Sequence, residues 1–135
     1  EAAPDIIKPN IDELVGLLGC PLDDGAAIVA AARSLRTRGI GWVVVSMGGD
    51  GAIFVTADAA VRATPPPAPV KSTVGAGDAM VAAITVGLGR GWPLVKSVRL
   101  GIAAGTAMLM TPGTAACERA DVERLFALAA EPVDV

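Results

Sequence analysis

The run STVGAGDAM, Ser72–Met80, sets one carboxylate, Asp78, directly behind two glycines and at the head of an apolar stretch. Gly75 and Gly77 open backbone angles that other residues avoid. A helix starting here presents unpaired N–H groups and a partial positive charge. Gly75, Ala76 and Gly77 thereby offer an anion site suited to a phosphate. A carboxylate beside an anion site repels the anion, so Asp78 needs a reason to be there. Phosphoryl transfer is one: the acid aligns an acceptor hydroxyl and takes its proton, while the N–H groups hold the charge on the moving group. Carboxylates are weak bases, but the loose transition state of this reaction lets the proton leave late. The plain alternative is a helix start with a capping acid.

Other segments carry paired readings. In PNIDE, Asn10 and Glu13 stand three apart. They read as an N-cap and its capping-box partner, or as cleft residues, with Glu13 ordering water around Mg²⁺, which keeps several waters and prefers oxygen. Lys8 is either a point charge for a phosphate or an exposed strand-end lysine. SMGGDG supplies Ser46, Gly48, Gly49 and Gly51 to a ligand-facing loop or to a tight hairpin turn, with Asp50 decorating that turn. Gly101, Ala104 and Gly105 share one helix side, for close helix packing or to make room for a flat base. Two nucleotide motifs are absent: there is no G-x-x-x-x-G-K-[ST], and Met80 stands where a dinucleotide fingerprint needs its third glycine.

These residues need elements to hold them. DIIK, Asp5–Lys8, reads as a short buried strand, followed by a helix from Asn10 to a stop at Gly19. Asp24 caps a second helix whose apolar face is Ile28, Ala31, Ala32 and Leu35, ended by Gly39. Trp42–Met47 is a β-branched run that predicts a strand buried on both faces, as in a parallel sheet. AIFVT and AAVRAT predict two more strands around a turn at Ala57–Asp58. Pro65–Pro69 has no place in a central ladder. Helices are expected over Asp78–Leu88, Pro93–Met110 and Asp121–Ala130, with Pro93 at a first helical position. The pattern is an α/β layered domain. KPN and SMGGDG follow strands, and STVGAGD precedes a helix. Ligands of open α/β sheets bind beyond the carboxyl ends of strands, so the three segments are expected at one cleft.

Bulk properties narrow the classes. The 135 residues suit one domain, and a net charge of −3 makes no case for nucleic acid or an anionic membrane. No histidine is present, so acid–base work falls to Asp, Glu, Lys or a thiol. Cys20 and Cys117 form neither a disulfide framework nor a zinc pattern, which points to a reducing cytoplasm. The apolar runs ending at Arg90 and Pro112 fall short of the ~18 residues of a spanning helix. The opening lacks an initiator Met and runs straight into strand-like sequence, as expected of a fragment missing its N-terminal part.

Taken together, KPNIDEL, VVVSMGGDGA, PPPAPVKSTVGAGDAMVAA and VRLGIAAGTAM…TPGTAAC resemble, in order, the PfkB branch of the ribokinase-like sugar kinases. The similarity covers nearly the whole chain and is strongest to the minor, PfkB-type bacterial 6-phosphofructokinases. It implies a three-layer α/β/α fold, of which residues 1–135 are the C-terminal nucleotide-binding half, without the N-terminal sugar site and lid. It implies transfer from ATP to fructose 6-phosphate, with Mg²⁺, a homodimer when full length, and a cytoplasmic location. Fructose 1-phosphate, tagatose 6-phosphate or another sugar are alternatives, as is a truncated, non-catalytic remnant. By the resemblance, Asp78 is the catalytic base and Gly75, Ala76 and Gly77 form the anion hole. Asn10 and Glu13 serve the Mg²⁺–phosphate network, and Lys8 lies near the ATP phosphates. Ser46, Met47, Gly48, Gly49, Asp50 and Gly51 line the nucleotide, and Ile102 and Thr106 flank the adenine. Ser72, Val74, Met108, Thr111, Gly113 and Ala115 match a loop that binds a monovalent cation such as K⁺, mostly through carbonyl oxygens. Thr111 and Ala115 depart from the side chains expected there, which carbonyl ligation tolerates.

Overall fold

A computed structural model describes residues 3–135 of the chain. They group into two compact units, residues 3–62 with Val133–Val135, and Ala63–Pro132.

The first unit is built on a five-stranded sheet with strand order β1-β2-β3-β4-β5: β1 Ile6–Ile7, β2 Trp42–Ser46, β3 Ala52–Val55, β4 Ala60–Ala63 and β5 Val133–Asp134. Helices α1, Ile11–Leu18, and α2, Gly25–Arg36, lie between β1 and β2 in the chain. This crossover lets β1 and β2 pair in parallel, with Ile6 opposite Trp42. The sheet is not parallel throughout. β2 meets β3 antiparallel, with Val44 opposite Phe54, because only a tight turn separates them. The expected burial of β2 on both faces holds, since Val43, Val44 and Val45 are all fully buried. Side chains alternate along a strand, so Val43, Val45, Ile53 and Val55 share one face and form a core with Leu14, Ile28, Ala31, Ala32 and Leu35 of the two helices. Each fully buried leucine there contributes roughly 1.5–3 kcal/mol. β5 had no signal in the sequence: it is two residues long and pairs Val133 with Arg62, far away in the chain.

The second unit is helical: α3 Ala76–Gly89, α4 Leu94–Leu109 and α5 Arg119–Leu128. α4 packs against both α3 and α5 and is buried over Gly101–Met108. Glycines make the α3–α4 approach close. A Cβ on Gly101 would fall 2.8 Å from Ile84 Cγ1, and one on Gly87 would fall 2.6 Å from Ser97 Oγ. Several expected boundaries move: α2 ends at Arg36, with Thr37 as its C-cap, rather than at Gly39, and β2 ends at Ser46 rather than Met47. α3 begins at Ala76 rather than Asp78, because Gly75 takes the cap position. Pro93 is the N-cap of α4 rather than its first helical residue. α5 runs from Arg119 to Leu128 rather than from Asp121 to Ala130. Pro65–Pro69 lies outside every strand. No helix among the described residues is long and apolar enough to cross a membrane.

Candidate active site

In the second unit the site is the first turn of α3. Gly75 precedes it at φ 79°, in the left-handed region that glycine occupies without strain. The helical ladder begins when Ala79 N–H donates to the Gly75 carbonyl at 2.9 Å. The N–H groups of Ala76, Gly77 and Asp78 come before that bond, and no side chain caps them. Asp78 is the third residue of the helix and is exposed. Its carboxylate takes part in no hydrogen bond or ion pair among the described residues, so the capping-acid alternative does not describe it.

Comparison within the chain sharpens the point. Asp24 caps α2 by accepting from Ala27 N–H at 2.7 Å. Asp121, in the first turn of α5, is paired with Arg124 at 2.9 Å. α4 and α5 also lack side-chain caps, so an open helix end alone decides nothing. A left-handed glycine, free N–H groups and an unengaged carboxylate occur together at α3.

The segment leading into this turn is tied to the end of α4. Lys71 and Ser72 N–H groups both donate to the Leu109 carbonyl, at 2.7 and 3.2 Å, and Ser72 Oγ accepts from Val74 N–H at 3.2 Å. Past α4, Thr111 donates its N–H to the Met108 carbonyl at 3.0 Å and its hydroxyl to the Ala107 carbonyl at 3.0 Å. Gly113 turns the chain at φ 62°, and Ala115 N–H reaches Pro112 O at 3.5 Å. The two segments assigned to a monovalent cation are therefore both anchored at the C-terminal end of α4. What they offer is carbonyl and hydroxyl oxygen. No group of three or more Asp, Glu, Cys or His among the described residues is gathered to cage a metal. Carbonyl and hydroxyl oxygens are hard donors, of the kind hard cations take. Ile102 and Thr106 are buried at 2% and 3% exposure, and the Thr106 hydroxyl is spent on the Ile102 carbonyl at 2.8 Å.

In the first unit, the ends of β1 and β2 gather a second group. Ser46 N–H donates to Pro9 O at 3.0 Å, which places Asn10 beside Ser46. Lys8 Nζ donates to Ser46 Oγ at 3.3 Å. Asn10 and Glu13 form the full capping box: Asn10 Oδ1 accepts from Glu13 N–H at 2.7 Å, and Glu13 Oε2 accepts from Asn10 N–H at 2.9 Å. Among the described residues Glu13 Oε1 has no hydrogen-bond partner, so the cap uses only one of the two carboxylate oxygens. Met47–Gly51 closes the β2–β3 hairpin, Met47 N–H donating to Gly51 O at 2.8 Å. Gly51, at φ 88° and ψ −133°, takes a conformation that only glycine holds easily. Gly48 and Gly49 stay exposed, and the Asp50 carbonyl accepts from Arg62.

The sequence profile of the pfkB family carbohydrate kinases matches residues 1–121. The chain belongs to this family. Its curated relatives within the pfkB family include the ATP-dependent 6-phosphofructokinase isozyme 2 of Mycobacterium tuberculosis, 56% identical over 131 residues, covering 96% of this chain and 39% of that protein. The 1-phosphofructokinase of Rhodobacter capsulatus is 47% identical over 102 residues, covering 76% of this chain and 32% of that one. Crystal structures of Escherichia coli phosphofructokinase-2, one in complex with substrates and products and one with potassium, superpose with a TM-score of 0.86 at 37% identity, over 92% of this chain and 40% of theirs. The fold is thus the α/β, ribokinase-like fold of these kinases. The chain spans about two-fifths of the length of the M. tuberculosis relative.

Proposed function

We propose that this chain is the ATP-handling and base-bearing portion of an ATP-dependent sugar-phosphate kinase. In a full-length protein it converts fructose 6-phosphate to fructose 1,6-bisphosphate. The observation that carries the reading is the first turn of α3, with its free N–H groups and the unengaged carboxylate of Asp78. An anion hole stabilises charge that develops during reaction, and a carboxylate at its rim with no other partner is free to take the proton of an acceptor hydroxyl. The 56% identity to a 6-phosphofructokinase supports the choice of sugar.

Gly75, Ala76 and Gly77 hold the oxygens of the transferring phosphoryl group through backbone N–H. Asp78 orients the acceptor hydroxyl and accepts its proton as the new P–O bond forms. Lys8 brings a positive charge toward the ATP phosphates. Asn10 and Glu13 face the phosphate–Mg²⁺ network, Glu13 through water. When bound, Mg²⁺ neutralises phosphate charge. Ser46, Met47, Gly48, Gly49, Asp50 and Gly51 line the nucleotide, while Ile102 and Thr106 back the adenine from within α4. Ser72, Val74, Met108, Thr111, Gly113 and Ala115 would hold K⁺ through their carbonyls; the potassium complex of the E. coli relative supports that ion. The full-length protein works as a cytoplasmic homodimer.

Asp78→Asn in the full-length protein tests the base. It is expected to lower kcat by several orders of magnitude with near-normal ATP binding; wild-type turnover in that variant would remove Asp78 from the role. Two observations favour second readings. The 47% identity to a 1-phosphofructokinase keeps fructose 1-phosphate in view, and a panel that includes tagatose 6-phosphate decides among sugars. The span of two-fifths favours a nucleotide-binding remnant without catalysis; sugar-phosphate phosphorylation by the 135-residue chain itself would sink that reading.

A further inference from the structure

We propose that Gly105 is a positioning residue for the Gly75–Asp78 turn, a role that rests on the phosphoryl-transfer reading above. Three contacts carry it, all from the last turns of α4. A Cβ on Gly105 would stand 3.2 Å from the carbonyl oxygen of Ala76, the first residue of α3. Met108 Cε lies 3.1 Å from the point where Gly75 would carry a Cβ. The Leu109 carbonyl holds the N–H groups of Lys71 and Ser72. Residues three and four apart on a helix share a face, so positions 105, 108 and 109 form one surface. The approach to the anion hole meets it at Lys71, Ser72, Gly75 and Ala76.

The geometry makes position 105 the sensitive one. The Ala76 carbonyl and the Gly77 N–H belong to a single peptide unit, which is planar and stiff. A methyl at 105 presses on that oxygen at a distance tighter than ordinary van der Waals contact. The oxygen must give by a few tenths of an ångström, and because the peptide is one rigid unit, its displacement carries the Gly77 N–H out of line with the phosphoryl oxygens. Gly101 provides the contrast. It sits one turn earlier on α4 and meets Ile84 and the Met80 carbonyl. A methyl there disturbs the same helix pair without touching the turn.

The test is steady-state kinetics of the full-length enzyme carrying this chain, as wild type, Gly105→Ala and Gly101→Ala, with thermal melts of each. Gly105→Ala is expected to lose about tenfold or more in kcat with KM for fructose 6-phosphate unchanged, since small misplacements of a preorganised site are costly. Gly101→Ala is expected to lower Tm at least as far while keeping kcat. Unchanged kcat in a folded Gly105→Ala enzyme overturns the proposal, as do kcat losses that follow Tm equally in both variants. If Gly105→Ala does not fold, Met108→Ala removes the contact on Gly75 without adding a clash, and the same loss confined to kcat is expected; unchanged kcat there overturns the proposal. A folded wild-type enzyme with no turnover on any sugar phosphate refutes the phosphoryl-transfer reading itself, and the role of Gly105 falls with it.

Discussion

The proposed function gives Asn10 two jobs, cap and phosphate neighbour, and one substitution separates them. As a cap it needs only an acceptor oxygen, and Asp serves as well as Asn. As a neighbour of ATP phosphates it must not add a negative charge. Asn10→Asp is therefore expected to leave unfolding free energy nearly unchanged, as read by urea titration, while MgATP affinity falls at least about tenfold by calorimetry, since like charges brought together are costly. Unaltered affinity would return Asn10 to the cap alone. The local structure of the candidate residues was largely legible at this scale because its signals are local. The Asn10–Glu13 pair lies within one helical turn, and GAGD announces its own open helix end. The choice between a capping acid and a free one was not legible. It depends on where α3 begins, and that depends on Gly75 adopting φ 79°.

Helix contacts settle what composition leaves ambiguous. Gly101 and Gly105 suit either close packing or a space for a base, and only the partner surface decides. Ile84, Met80 and the Ala76 carbonyl fill that space, so packing is what these glycines provide. The same interface carries a cost. Ser97 is fully buried against Gly87, and its hydroxyl has no partner. A buried unsatisfied polar group costs about 1–3 kcal/mol. Ser97→Ala is expected to raise Tm, with a gain of about 1 kcal/mol in chemical unfolding; a lower Tm would mean that the hydroxyl is bonded to a buried water. Element boundaries were read within three residues where a cap or glycine marks them. The sense of pairing was less legible. A run such as Trp42–Ser46 looks the same whether its neighbours are parallel or antiparallel, and here it has one of each.

Across the molecule, β5 was illegible because nothing in Val133–Asp134 marks a strand. Its existence depends on a partner some seventy residues away, on the order set by the β4–β5 register. This short strand covers an edge. Removing residues 133–135 leaves the β4 edge unpaired, and exposed edges recruit other chains. The truncated chain is expected to aggregate faster than the intact one by light scattering at matched concentration. Equal rates would show that the β4 edge is protected by other means.

The β4–β5 pairing also bears on how the protein is made. A ribosome releases a chain at about 5–20 residues per second, so β4 has emerged for several seconds before Val133 appears. During that interval the helical segment 76–128 has everything it needs to pack, while the sheet still lacks its last strand. The unit that starts first is thus the one completed last. A nascent chain stalled before Val133 presents an open sheet edge while its helical unit is already finished, and chaperone attachment or misassembly should concentrate at that length.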